Sequence, residues 1–137
     1  MILEKQYFGK KYISLEEAND LIVIIEPKLR RLKKLQKAIN IMDTIEIEFE
    51  DDFSDLQANI KLSSKFHKLY YEYYKEIDYL LDIGCIVKDV NRGLIDFYSL
   101  HNGKEIFLCW TFGEDEIKFW HDVNSGFKGR KPVSLLL

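Results

Sequence analysis

The chain has 137 residues, of which 47% are apolar, and carries a formal net charge of −3. That length and apolar share support a hydrophobic core and exclude a disordered chain. The mild acidic balance excludes a generic nucleic-acid coat while leaving room for a local basic patch. No apolar run reaches the roughly 18 residues of a spanning helix. The N-terminus lacks the basic, apolar, small-residue order of a secretory signal, so the expectation is a cytoplasmic protein with no membrane association.

Residues 1–13 hold a short strand candidate that ends at Lys11-Tyr12-Ile13. Ser14 then opens a capping box with Glu17, in which the serine oxygen accepts from the Glu17 amide and the glutamate reaches back. Leu15, Ala18, Ile22, Ile25, Leu29, Leu32 and Ile39 follow in steps of three and four, the seam of a long packed helix. Pro27 falls inside it and predicts a kink near Val23 to Pro27. From Asp43 to Asp55 the period breaks. Ile45, Ile47 and Phe49 alternate with Glu46, Glu48 and Glu50, which fits either a strand or an extended connector. Asp51, Asp52 and Asp55 suit the start of a second helix, expected over Ser54 to Asp82. Its seam is Leu62, Phe66, Leu69, Tyr73 and Leu80, and Gly84 caps it in the left-handed region.

From Cys85 the period becomes two. Four strands are predicted, Cys85–Val90, Leu94–Tyr98, Glu105–Phe112 and Glu116–Asp122, joined by turns at Asn91-Arg92-Gly93, His101-Asn102-Gly103 and Gly113-Glu114-Asp115. The tail over 126–132 reads as a loop. The predicted fold is therefore α+β in one domain. A long antiparallel helical hairpin (14–83) is followed by a four-stranded antiparallel meander with a C-terminal loop (84–137), and the short N-terminal strand is a candidate to join them.

The second half resembles a family of small prokaryotic proteins known as domain of unknown function 2203. The residues that carry the resemblance are Gly84, Val87-Lys88-Asp89, Arg92-Gly93-Leu94, Asp96-Phe97, Leu108-Cys109-Trp110, Gly113-Glu114, Ile117, Trp120-His121, Gly126-Phe127, Gly129-Arg130 and Pro132. Leu15-Glu16-Glu17-Ala18-Asn19 is similar to the family's opening. Tyr98 departs from it, standing where proline is common. The resemblance implies no activity and supplies no catalytic residue.

Among chemistry-bearing residues, an Asp96, Glu114 and His121 metal set is disfavoured. In a meander the Glu114 turn and His121 lie at opposite ends of the sheet, roughly 20 Å apart along the strand. Alternation places Ile106, Leu108, Trp110 and Phe112 on the core face with Ile95 and Phe97, leaving Asp96 outside. Counted from Ile117 and Phe119, His121 turns inward at the rim, where a histidine donates to a carbonyl. The same count separates Cys109 from His121 as a nucleophilic pair. Cys85 and Cys109 read as buried free thiols. Neither a catalytic residue, a metal nor a cofactor is expected.

Three binding candidates remain. Arg92, Asp96 and Glu114 can converge at one sheet end, with Arg130 between Gly129 and Lys131 as an anion partner. Trp120, counted onto the uncovered face, is a candidate for stacking. Lys28 to Lys37 forms a basic stripe, with Arg30, Arg31, Lys33 and Lys34 as candidate contacts for a polyanion. Leu69-Tyr70-Tyr71-Glu72-Tyr73-Tyr74 and Tyr79 surround the second helix with aromatics, more than one hairpin needs. The reading that gathers most of this is a non-catalytic binding or assembly module, homodimeric through its helices. The alternatives are an enzyme with an anion site at the Arg92/Asp96/Glu114 end, and an RNA- or ribosome-associated factor that uses the basic stripe.

Overall fold

A computed structural model describes residues 10–45 and 51–136. The first part of the N-terminal strand candidate and the alternation over 46–50 lie outside the described residues. Helix α1 runs Leu15–Asp43 and helix α2 runs Asp52–Asp82. The capping box forms: the Glu17 amide donates to Ser14 Oγ and the Ser14 amide to Glu17 Oε1. Asp51 caps α2 by accepting from the Ser54 amide at 2.7 Å. Helix α1 is continuous through Pro27. At the end of α2 the amides of Gly84 and Cys85 fold back onto the carbonyls of Leu81 and Leu80, with Gly84 at φ 94°.

The helices pair antiparallel through their seams and through ions. Lys28 and Arg31 of α1 both reach Glu76 of α2, and Arg31 also reaches Glu72. The strands are β1 (Ile86–Asp89), β2 (Leu94–His101), β3 (Lys104–Thr111), β4 (Phe119–Asp122) and β5 (Lys131–Pro132), in spatial order β1-β2-β3-β4-β5 and paired antiparallel throughout. The architecture is thus a helical hairpin followed by an antiparallel sheet. It has one strand more than expected, because the tail, after a 3-10 turn over Phe127–Gly129, returns to pair with β4. The described part of the N-terminal candidate is not a strand, although the Ile13 amide donates to the Tyr98 carbonyl at 2.8 Å.

One face of the sheet forms the core. Ile95, Phe97, Ile106, Leu108, Trp110 and Trp120 are buried in one cluster with Ile22, Ile25, Leu29 and Leu32 of α1 and Leu80 of α2. Removing each such large apolar side chain from water contributes about 1.5–3 kcal/mol. Cys85 joins this cluster as a free thiol, and burial pushes its pKa up to about 12.

The segment between β3 and β4 departs from a simple hairpin and decides what the outer face carries. Glu114 folds back on the turn: its carboxylate accepts from the Thr111 amide at 2.7 Å and its carbonyl from Trp110 Nε1 at 2.9 Å. Asn19, at the start of α1, accepts from the Ile117 amide through Oδ1 at 2.7 Å. Residues 112–118 are consequently irregular, and β4 begins only at Phe119. Ile117 and Trp120 both face the core, three positions apart, so strand alternation cannot be counted from one to the other.

Candidate functional site

That change of phase corrects the inward placement of His121. In β4, Trp120 pairs with the core residue Leu108, while His121 pairs with Phe107 and Phe119 with Cys109. Residues directly opposed across a ladder share a face. His121 therefore lies on the outer face with Cys109, and so does Asp96, the partner of Cys109 in β2. Asp96 and His121 sit two strands apart. They meet over β3, where the short side chain of Cys109 leaves room, and Asp96 Oδ2 lies 3.2 Å from His121 Nε2. One ligand atom from each of Asp96, Cys109 and His121 falls within 4.8 Å of the others.

All three are buried although they occupy the face turned away from the helices, at 5%, 2% and 3% exposure. Phe107 and the 123–127 segment cover them, leaving a cavity of about 230 Å³ lined also by Lys88, Leu94 and Phe127. Burial raises the Asp96 carboxyl above the ordinary range, against the pull of His121 and Lys88. Burial, with Asp96 alongside, pushes the Cys109 thiol up to about 12, so at neutral pH the sulfur keeps its proton.

The tautomer of His121 follows from its second partner. Nδ1 lies 2.9 Å from the Asp122 carbonyl, which can only accept, so Nδ1 carries a hydrogen. This is the donation to a carbonyl expected for a rim histidine. It leaves the Nε2 lone pair aimed at a carboxylate oxygen. Two acceptors at 3.2 Å repel unless a proton or a cation lies between them. The ring orientation, fixed by Nδ1 donating to a backbone carbonyl, is also that of metal-bound histidines. Thiol, imidazole and carboxylate together make a donor set suited to a zinc-class ion.

The other expected site residues divide. Arg92 and Arg130 converge on the ring of Phe127, with guanidinium carbons 5.0 and 3.8 Å from its centroid, and Arg130 also covers Phe119 at 4.5 Å. Phe127 lines the Asp96 cavity, so the two arginines stack on one of its lining residues without lining it themselves. Glu114 does not join them, because its carboxylate is engaged at the Thr111 turn. Trp120 is not on the uncovered face. It is buried against the core, with Nε1 donating to the Pro132 carbonyl at 3.1 Å. In the basic stripe, Arg31 is turned into the hairpin toward Glu72 and Glu76, Arg30 meets Glu26 at 2.7 Å, and Lys33 donates to the carbonyls of Val90 and Asn91. Lys34 lines a cleft with Arg30, Lys33 and Lys37. Cys109 was the residue that alternation undervalued. Counting β4 from Trp120, its largest apolar residue, would have placed His121 beside it.

Fold and site together define a helical hairpin on an antiparallel sheet whose outer face buries a carboxylate, a thiol and an imidazole. The family profile described as an uncharacterized conserved protein (DUF2203) matches residues 11–133, and the chain belongs to that family. Nothing among curated proteins or solved structures matches the chain. Among the described residues, no helix is long and apolar enough to cross a membrane.

Proposed function

We propose that the protein is a metal-binding module in which Asp96, Cys109 and His121 hold one zinc-class ion on the outer sheet face. The observation that carries this reading is the confrontation of His121 Nε2 and Asp96 Oδ2 at 3.2 Å, with the His121 tautomer fixed from behind. A cation between them satisfies both acceptors, and the Cys109 sulfur completes three ligands. Three protein ligands beside a cavity leave a fourth position for water or a small anion, the arrangement of sites that bind an exogenous ligand. Lys88 on the cavity wall favours an anionic one.

Zinc titration of metal-free protein against a chromophoric chelator tests the reading. One ion per chain is expected, with affinity lost in Asp96→Asn, Cys109→Ala and His121→Gln. Cobalt provides a second readout, in which the wild-type spectrum alone reports the sulfur ligand. The wild-type complex should show a thiolate-to-cobalt charge-transfer band, and Cys109→Ser should lack it. Absence of zinc binding by folded wild-type protein, or binding unchanged in all three variants, refutes the proposal.

A second reading, self-association through the helices, is favoured by the surface of α2. Phe53, Leu56 and Ile60 are exposed in steps of three and four, and Tyr71 and Tyr74 continue the apolar surface along the helix. The occupant we assign is a second copy of the chain. Solution mass at micromolar concentration should give a dimer, and a clean monomer would remove this reading.

A further inference from the structure

Helix α1 sorts its basic residues onto two sides. Lys28 and Arg31 face α2 and are neutralised by Glu72 and Glu76. Arg30, Lys33, Lys34 and Lys37 face the opposite way, toward the β1–β2 turn. With Asn40, Asn91 and Phe112 they line a cleft of about 400 Å³. None of these lining residues is acidic. Glu26 occupies one terminal nitrogen of Arg30, and among the described residues the other guanidinium donors have no hydrogen-bond partner. Lys33 has two partners, the carbonyls of Val90 and Asn91, so it fixes the turn as the cleft wall and keeps a third donor. Phe112 forms an aromatic floor, with Arg30 and Lys33 at 5.3 and 5.4 Å from its centroid.

Four like charges on one concave wall repel one another, and an anion relieves that cost. The cleft is nucleotide-sized rather than an extended track. Its donors are two lysines without a contact of their own among the described residues, a lysine with a donor to spare and a guanidinium. They match clustered phosphate oxygens. We propose that this cleft, distinct from the outer-face cavity, binds a di- or triphosphate group, such as that of a nucleoside triphosphate.

The test is calorimetric titration of the full chain at low salt with ATP and, separately, with inorganic pyrophosphate, both without divalent metal. Each is expected to bind one per chain, and the two should compete. Lys34→Ala/Lys37→Ala should weaken both by about tenfold or more, since each lost cation removes a charge-assisted contact. Lys65→Ala, on an exposed turn of α2, should bind as wild type. Raising salt should weaken the wild type steeply. Pyrophosphate that binds as tightly as ATP would locate recognition in the phosphates. The proposal is overturned if neither ligand binds at about 1 mM, the weak limit for a specific site. Equal losses in the Lys65→Ala control and the double variant would also overturn it, as would binding of a single-stranded oligonucleotide without any binding of pyrophosphate. Because Asp96, Cys109 and His121 take no part, zinc binding is unaffected by either outcome.

Discussion

Zinc affinity should climb with pH at about one decade per unit or more near neutrality, because binding one ion displaces the Cys109 thiol proton. The count comes from the site. The Cys109 thiol, pushed up to about 12, is fully protonated at neutral pH and must release its proton when the sulfur binds metal. A chelator competition series between about pH 6.5 and 8 reads the slope directly. Cys109→Ala should lower affinity and reduce the slope by about one decade per unit. An affinity independent of pH, or a slope identical in wild type and Cys109→Ala, would refute the reasoning.

Asn19→Ala leaves the Ile117 amide without its acceptor and should destabilise by about 1–3 kcal/mol in urea unfolding, with weaker zinc binding because β4 loses its anchor. A change below about 0.5 kcal/mol would mean that water replaces the asparagine. Gly93→Ala should cost more than Gly103→Ala. Both glycines are left-handed, at φ 68° and 78°, and alanine there loses about 1–2 kcal/mol of backbone preference. At Gly93, however, the new Cβ would also fall 2.4 Å from Phe112 Cβ, whereas Gly103 faces open space. Equal thermal midpoints for the two variants would contradict this. Glu105, hydrogen-bonded by Lys10 and Tyr12, is held below the ordinary carboxylate range. Its contribution is therefore present above the unfolded glutamate pKa of about 4.3 and is lost as pH falls through the lower folded value. Glu105→Gln should destabilise at neutral pH and converge with wild type in acid, and a pH-independent difference would count against it.

Much of the fold can be read from local signals that agree with one another. The Ser14–Glu17 box, the α1 seam and the Gly84 stop each specify a helix boundary or face without help from tertiary structure. The Asn102-Gly103 turn likewise fixes the β2–β3 register, pairing Leu94 with Thr111 at one end and His101 with Lys104 at the other. The outer-face cluster was half legible. Alternation puts Asp96 outside, but the expected convergence is of Arg92, Asp96 and Glu114, with Arg130 as an anion partner, and Glu114 turns away to Thr111. Arg92 and Arg130 meet instead on Phe127, a residue with no polar signal of its own.

His121 was misplaced because a period of two carries information only while the chain stays extended. The bond from the Ile117 amide to Asn19 spans 98 residues of sequence, and the fold-back of Glu114 onto Thr111 changes the count before β4 starts. Neither contact leaves a periodic trace. The same limit applies to Arg31. Its membership of a basic run was plain, but whether it faced the hairpin or the cleft depended on Glu72 and Glu76, more than forty positions away.

X-ray absorption at the zinc edge of the loaded protein tests the metal set most directly. The predicted first shell holds one sulfur at about 2.3 Å, from Cys109, with the remaining nitrogen and oxygen ligands at about 2.0–2.2 Å. A shell of nitrogen and oxygen alone, unchanged in Cys109→Ala, would place the ion elsewhere and contradict the account.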